Sequence, residues 1–154
     1  MIEFFVPQTP QGKQSPRAVR IGAHVRVVKA SVTRKYESMI AMFASQAMAG
    51  RAPLDEPVTM RLTVWMPVPT SWSQKKRSAA LAGEIRPVVK PDLSNTTKSV
   101  EDGCNGIVYV DDRMITDLTV SKYYGCRPGV AVVVQPLALV QKLATQAAQM
   151  GVKA

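Results

Sequence analysis

Histidine is nearly absent from this 154-residue chain, His24 being the single one. Nucleophile schemes that pair histidine with serine or cysteine are excluded unless His24 itself serves. It sits in VRIGAHVRVV, which reads as a strand, so a structural or phosphate-contacting role is the expectation for it. The two cysteines, Cys104 and Cys126, lack metal-ligand spacing and lie far from His24 in sequence. A zinc centre is not expected, and two unpaired thiols in a reducing compartment are. No run approaches the roughly 18 apolar residues of a membrane span. The opening MIEFFVPQTPQGK has no basic leader before its short apolar run, so it does not have the form of a signal peptide. A cytoplasmic protein is the resulting expectation. Internal repeats and low-complexity tracts are absent too. Acid is scarce: 11 Asp and Glu face 20 Lys and Arg, a formal net charge of +9.

The scarce acid is unevenly placed. Residues 1–91 hold 14 basic and 5 acidic side chains. Residues 92–117 reverse the sign, with only Lys98 and Arg113 against Asp92, Glu101, Asp102, Asp111, Asp112 and Asp117. The tail then adds Lys122, Arg127, Lys142 and Lys153. A basic surface draws in a polyanion at long range. Carboxylates inside such a surface repel phosphate unless a cation stands between them, which is the logic of a metal-dependent nuclease. The competing reading is that these carboxylates pair with neighbouring Lys and Arg on a solvated surface.

Length and a 46 % hydrophobic content fit one globular domain with a core of its own. Residues 2–6 read as a strand ended by Pro7, followed by a Pro-rich loop carrying Lys13 and Arg17. Residues 18–29 alternate as a strand or hairpin arm. Ser31 is the expected cap of a helix to about Met48, with Val32, Tyr36, Met39, Ile40, Phe43 and Ala47 as its apolar face and Gly50 as its stop. Residues 57–67 alternate so that Val58, Met60, Leu62, Val64 and Met66 share one side. Ser71 or Ser73 is placed to cap a short helix bearing Lys75, Lys76 and Arg77, candidates for phosphate contact, ending at Gly83. Residues 94–104 read as a helix closed by Asn105-Gly106. Residues 107–110 and 113–124 read as strands around Asp111-Asp112, residues 129–135 as a buried strand, and 137–150 as a terminal helix. These elements do not form regular βαβ units, so the fold class is α+β, a mostly antiparallel or mixed sheet with helices on one side. The expected organisation is a domain over 1–135 and a helical extension over 136–154, packed on that domain or on a partner.

The chemistry gathers around Lys90–Lys122. Asp92 precedes a helix and Asp111-Asp112 lies beyond the next turn, so carboxylates from two elements can converge at one end. Such a pair suits Mg²⁺, which keeps several waters and takes substrate phosphate directly. Lys98, inside that helix, can bring an ammonium to the same end and stabilise charge developing on a phosphodiester. If Asp111 and Asp112 are extended they face opposite ways, so one ligates and the other supports it.

In order, Lys90-Pro91-Asp92, Asn95, Lys98, Glu101-Asp102, Asn105-Gly106, Val110-Asp111-Asp112 and Lys122 resemble the motif of the RusA-type Holliday junction resolvases. SWSQKKRSAALAGEIRP and VPQTPQGKQSPR resemble that family's upstream segments, and the resemblance spans about residues 1–135. It implies a homodimer that grips a four-way DNA junction and cuts two strands symmetrically with Mg²⁺, for which Mn²⁺ can substitute. By position, Asp92 and Asp112 match catalytic metal-binding aspartates, Lys98 the helix lysine, and Asp111 the partner in the acidic pair. DNA contacts are expected from Lys13, Arg17, Lys75, Lys76, Arg77 and Lys122. The chain departs from the pattern at Ser94, where the family has a second aspartate, and at Met114, in place of a commonly polar residue. Two readings follow: Glu101, two helical turns after Ser94 on the same face, supplies the lost oxygen, or the chain binds junctions without cutting them.

Overall fold

The computed structural model of the chain describes residues 1–15, 17–21, 24–28 and 30–149, with side chains described outside 17–19, 21, 25–28 and 147–149. Strand β1 (Ile2–Val6) opens the chain, and β2 (Arg17–Ile21) and β3 (His24–Val28) form a separate antiparallel hairpin. Helix α1 (Ser31–Met48), strand β4 (Val58–Pro67) and helices α2 (Gln74–Leu81) and α3 (Leu93–Cys104) follow. A 3-10 turn (Asp112–Met114) leads into β5 (Ile115–Gly125), then β6 (Gly129–Pro136) and α4 (Leu137–Gln149).

The main sheet has the order β1-β6-β4-β5. Its β1–β6 and β6–β4 pairs are antiparallel and its β4–β5 pair is parallel, because α2 and α3 carry the chain across between those two strands. The class is therefore α+β with a mixed, open sheet. Strand β4 is its centre: Val58, Met60, Leu62, Val64 and Met66 alternate into the core, where Val130, Val132 and Val134 of β6 and Phe4 and Val6 of β1 meet them. Helices α1 and α3 cover this face through Tyr36, Ile40, Ala44, Val100 and Cys104. Truncating a residue such as Leu62, fully buried, to alanine is a change of the kind that costs about 2–5 kcal/mol.

Several local expectations shift. Helix α1 begins at Ser31 itself, with Ala30 at the cap position and no side-chain cap bond. Its buried face runs Thr33, Tyr36, Ile40, Ala44, Met48, while Val32 is 45 % exposed, a rotation that follows from the start of the helix. Residues 107–110 form no strand. Gly106 turns at φ 70°, the amides of Ile107 and Val108 return to the carbonyl of Cys104, and Tyr109 makes only single bridges to Leu54 and Asn105. The terminal helix α4 continues directly from β6 and buries none of its described side chains, with Leu139 and Leu143 exposed. Among the described residues no helix is long and apolar enough to cross a membrane, and both cysteines are free thiols, Cys104 buried and Cys126 exposed.

Candidate active site

Helix α3 organises the acidic segment. Its N-cap is Asp92, whose Oδ1 accepts from the Asn95 amide at 2.8 Å and the Ser94 hydroxyl at 3.1 Å, while Oδ2 accepts from Asn95 Nδ2 at 2.9 Å. These bonds, the Asn95 amide foremost, hold the Asp92 carboxyl below the usual range, and the positive end of the helix acts in the same direction. Asp92 is exposed and ionised at neutral pH. The loop before it is clamped from the sheet: Lys122 Nζ donates to the carbonyls of Val89 at 2.8 Å and Pro91 at 3.0 Å.

The opening loop crosses the same end of the helix. The Lys13 amide donates to the Asn95 carbonyl at 3.0 Å, and its ammonium reaches Asp102 Oδ2 at 2.6 Å. Gly12 is needed there, because a Cβ on it would sit 3.0 Å from Pro91 Cβ and 3.2 Å from Asn95 Cβ. Between loop and helix lies a cleft of about 550 Å³ bordered by Lys13, Lys90, Asp92 and Asn95.

A second groove, of about 340 Å³, runs between α3 and β5 and is lined by Ser94, Lys98, Glu101, Leu118 and Val120 among others. Ser94, Lys98 and Glu101 thus share one face, as their spacing predicts. Burial raises the proton affinity of Glu101; Lys98 opposes that, and the charges of Asp112 and Asp102 add to it. Glu101 and Asp112 therefore feel each other across the space between α3 and the 3-10 turn. Asp111 caps that turn, accepting from the Arg113 amide at 3.1 Å with Arg113 Nε at 3.8 Å, while Asp112 is exposed.

The candidate residues accordingly fall into two sets. Asp92 stands at the N-terminal end of α3, where Lys122 holds the preceding loop and the Lys13 backbone crosses, whereas Glu101, Asp112 and the Lys13–Asp102 ion pair lie toward its C-terminal half. Roughly 13 Å of helical rise separates Asp92 from Glu101, at about 1.5 Å per residue. Among the described residues no three carboxylate, histidine or cysteine side chains converge as one metal-holding group. The donors nevertheless fit Mg²⁺ in kind, since that ion takes oxygen from one or two carboxylates and fills its shell with water and phosphate. On α2, Ser73 caps by accepting from the Lys76 amide at 3.4 Å, and Lys75, Lys76 and Arg77 are all exposed, Lys76 lying 4.0 Å over the Trp72 ring. Arg17 begins β2, and its side chain lies outside the described residues; His24 is exposed at the start of β3.

Sequence reasoning missed three roles. Asn95 donates twice to Asp92, which its place three residues after a capping aspartate signals. Lys122 is a loop clamp, and Lys13 an ion-pair partner of Asp102; those contacts span 31–33 and 89 residues, and no local pattern reveals them.

Residues 7–135, which hold most of the sheet and every motif residue, match the family described as endodeoxyribonuclease RusA. The chain belongs to the RusA endodeoxyribonuclease family. A relative in Bacillus subtilis (strain 168), named uncharacterized protein YqaN, is 33 % identical over 136 residues, 87 % of this chain and 95 % of the relative. The RusA match begins just after β1 and stops at Gln135, two residues before α4 begins.

Proposed function

We propose that this RusA-family chain is a Mg²⁺-dependent, structure-specific endodeoxyribonuclease that resolves four-way DNA junctions by paired phosphodiester cleavage, acting as a homodimer. The observation that carries the reading is Glu101 beside Lys98 in the groove between α3 and β5, its proton affinity raised first by burial and then by the nearby charges of Asp112 and Asp102, on a chain of net charge +9. Clustered carboxylates lower the affinity of a surface for phosphate, so pure DNA binding gives no reason for them. Asp112 and Glu101 are the residues that would hold the ion at one end of α3, with Asp111 shaping the turn beneath Asp112, and Asp92, roughly 13 Å of helical rise away, would offer a separate carboxylate position at the other end. When bound, it would neutralise charge on the scissile phosphate and acidify a water.

The chain's own groups do the rest. Lys98, exposed in the groove beside Glu101, meets the phosphodiester and stabilises the charge that develops as the bond breaks. Asn95 and Ser94 fix the Asp92 carboxylate in one orientation, and Lys122 fixes the loop that delivers it. Lys75, Lys76 and Arg77, free of acidic neighbours on their own helix, hold the duplex arms. Arg17 and, once exchanged from Asp102, Lys13 extend that contact. The domain of 1–135 carries this machinery, and α4 extends it with an apolar stripe, Leu139 and Leu143, suited to a second copy.

A second reading, junction binding without cleavage, has one observation in its favour: Ser94 replaces a carboxylate at the N-terminal end of α3, leaving Asp92 remote from Glu101. Incubating purified protein with a labelled four-way junction separates the two. Symmetric nicks that appear with Mg²⁺ and vanish with chelator support the nuclease. A shifted junction that stays intact with Mg²⁺ and Mn²⁺ alike supports the binding protein.

A further inference from the structure

Helices α1 and α3 cover one face of the sheet, and the opposite face carries a row of aromatic rings. Phe5 of β1 and Trp65 of β4 meet edge to face, with centroids 6.0 Å apart. Tyr123 of β5 is the sheet partner of Trp65 and projects on the same side. Glycine makes the row possible: a Cβ at Gly129 would run into the Phe5 ring, and one at Gly125 would come within 2.7 Å of Trp65 Cδ1. Arginines close both ends. The Arg127 guanidinium lies 5.4 Å over Phe5, and that of Arg86 lies 3.5 Å over Tyr123. Beside Trp65 and Phe5 opens a cleft of about 300 Å³, floored by Gly125 and rimmed by Cys126 and Arg127. The ring row belongs to none of the acidic machinery, and burying the core requires none of it.

We infer that this row and cleft form a second DNA site, one that takes unpaired bases of a single strand. Every base has a face that stacks on an aromatic ring, and guanidinium groups at the ends of the row supply phosphate contacts. Arg61, exposed on the same face of β4, stands in a row with Glu3 and beside Asp117, so the cationic part of the face is the end that carries Arg86, Arg127 and the rings. The charge argues for a polyanion over a second copy of this chain, because a two-fold contact through this face brings its arginines together. The stacking site does not depend on whether the carboxylate groove cuts DNA, so the deciding experiment is run in chelator, where no cleavage occurs.

The chain has two tryptophans, so Trp72→Phe leaves Trp65 as the sole indole reporter. Titration of that protein with a deoxythymidine oligomer of about 16 nucleotides is expected to quench Trp65 emission at saturation. In the parent background Trp65→Leu and Arg127→Gln are each expected to weaken single-strand affinity about tenfold, and to leave affinity for a duplex of equal length unchanged. Arg127 is exposed, so its variant keeps the test open even if Trp65→Leu fails to fold. Absence of quenching together with parental affinity in Arg127→Gln overturns the inference. So does a loss of self-association in sedimentation at unchanged single-strand affinity, which assigns the face to a contact between copies.

Discussion

Asp92 and Glu101 are carboxylates on one helix, and the fold treats them in opposite ways. Asp92 sits at the helix N-terminus among donors: an amide, a hydroxyl and a carboxamide satisfy its oxygens, and its proton affinity falls. Glu101 is half-buried toward the other end, facing Asp112 and Asp102 with Lys98 as partial compensation, and its proton affinity rises. One end is content as an ion without any further partner, whereas the other holds an acid that its surroundings prefer protonated. In the function proposed above, the ion belongs near Glu101 and Asp112, and Asp92 is a carboxylate whose direction its hydrogen bonds set in advance. The stability signs also differ. Asp92 stabilises the fold above its unfolded-state value, and that contribution is lost as pH falls through the lowered folded value. Glu101 works the other way, because the folded chain binds its proton more readily, so its unfavourable contribution at neutral pH is relieved as pH falls through the raised value.

The largest effect expected on this contrast comes from removing either end's charge. Asp112→Asn and Asp92→Asn should each abolish Mg²⁺-dependent junction cleavage, because an amide lacks the charge a hard cation prefers. Junction binding in chelator should persist in both, and should tighten more in Asp112→Asn, which relieves the crowded end. Gel mobility and nicking assays on one labelled junction read both quantities. Parental cleavage by either variant removes that aspartate from the chemistry.

Next in size is Glu101→Gln. It should lower cleavage by one to two orders of magnitude, about 1.4–2.7 kcal/mol, at or below the low end of what losing a single charge-stabilising group costs. In chelator, where no cation offsets its burial, Glu101 should titrate above an ordinary glutamate when followed by NMR, and the variant should lose that step. Adding Ser94→Asp to Glu101→Gln should return part of the activity, since it restores a carboxylate at the family position. If Glu101→Gln cuts like the parent, the serine is uncompensated and the two ends of α3 do not share the work. If Ser94→Asp alone turns an inert parent into a nuclease, the binding-only reading is correct.

How much of this contrast was legible in the sequence depends on the range of the contacts. The alternation of Val58, Met60, Leu62, Val64 and Met66, the helix over 94–104 and the Ser73 cap are local consequences of side-chain period and capping, and the structure shows all three. The family, too, was legible, because its motif residues occur in order along Lys90–Lys122. Residues 107–110 misled because an apolar run reads as a strand until Gly106 and the Cys104 carbonyl turn it. The parallel β4–β5 pairing was hidden for a related reason: strand direction depends on where intervening helices cross, not on any property of the strands. The division of carboxylates between the two ends of α3 follows from helical rise, and the spacing of Asp92 and Glu101 already contained it. The clamp by Lys122 is a tertiary contact, and sequence alone assigned that lysine to phosphate.

Loosening that clamp should give a smaller effect. Lys122→Met removes an ammonium bonded to two loop carbonyls, bonds worth about 1.5–3 kcal/mol when charge-assisted, with a lower figure fitting a half-exposed site. Thermal unfolding should shift down by a few degrees, and cleavage should fall about tenfold as Asp92 loses its fixed approach. Lys122→Arg should recover more of the cleavage than of the melting temperature if orientation of the loop is what matters. A Lys122→Met protein that keeps full cleavage and loses junction affinity instead would return this lysine to phosphate contact.

The smallest effect lies away from α3 and tests whether the basic half acts independently of the acidic one. Replacing Lys75, Lys76 and Arg77 together with alanine leaves the core untouched, since all three are exposed and Ala80 is the residue α2 buries. Each cation withdrawn from a phosphate should reduce the slope of log affinity against log salt by about 0.9. With all three withdrawn, junction affinity should drop several-fold at moderate salt, and the variant and the parent should converge as salt rises. Maximal cleavage at saturating protein should be unchanged, because these side chains hold the arms and take no part at the scissile phosphate. An unaltered salt slope would show that the trio is a solvated helix face, with Lys76 occupied by the Trp72 ring. A fall in maximal cleavage at saturation would instead tie α2 to the positioning of the junction over the carboxylate groove.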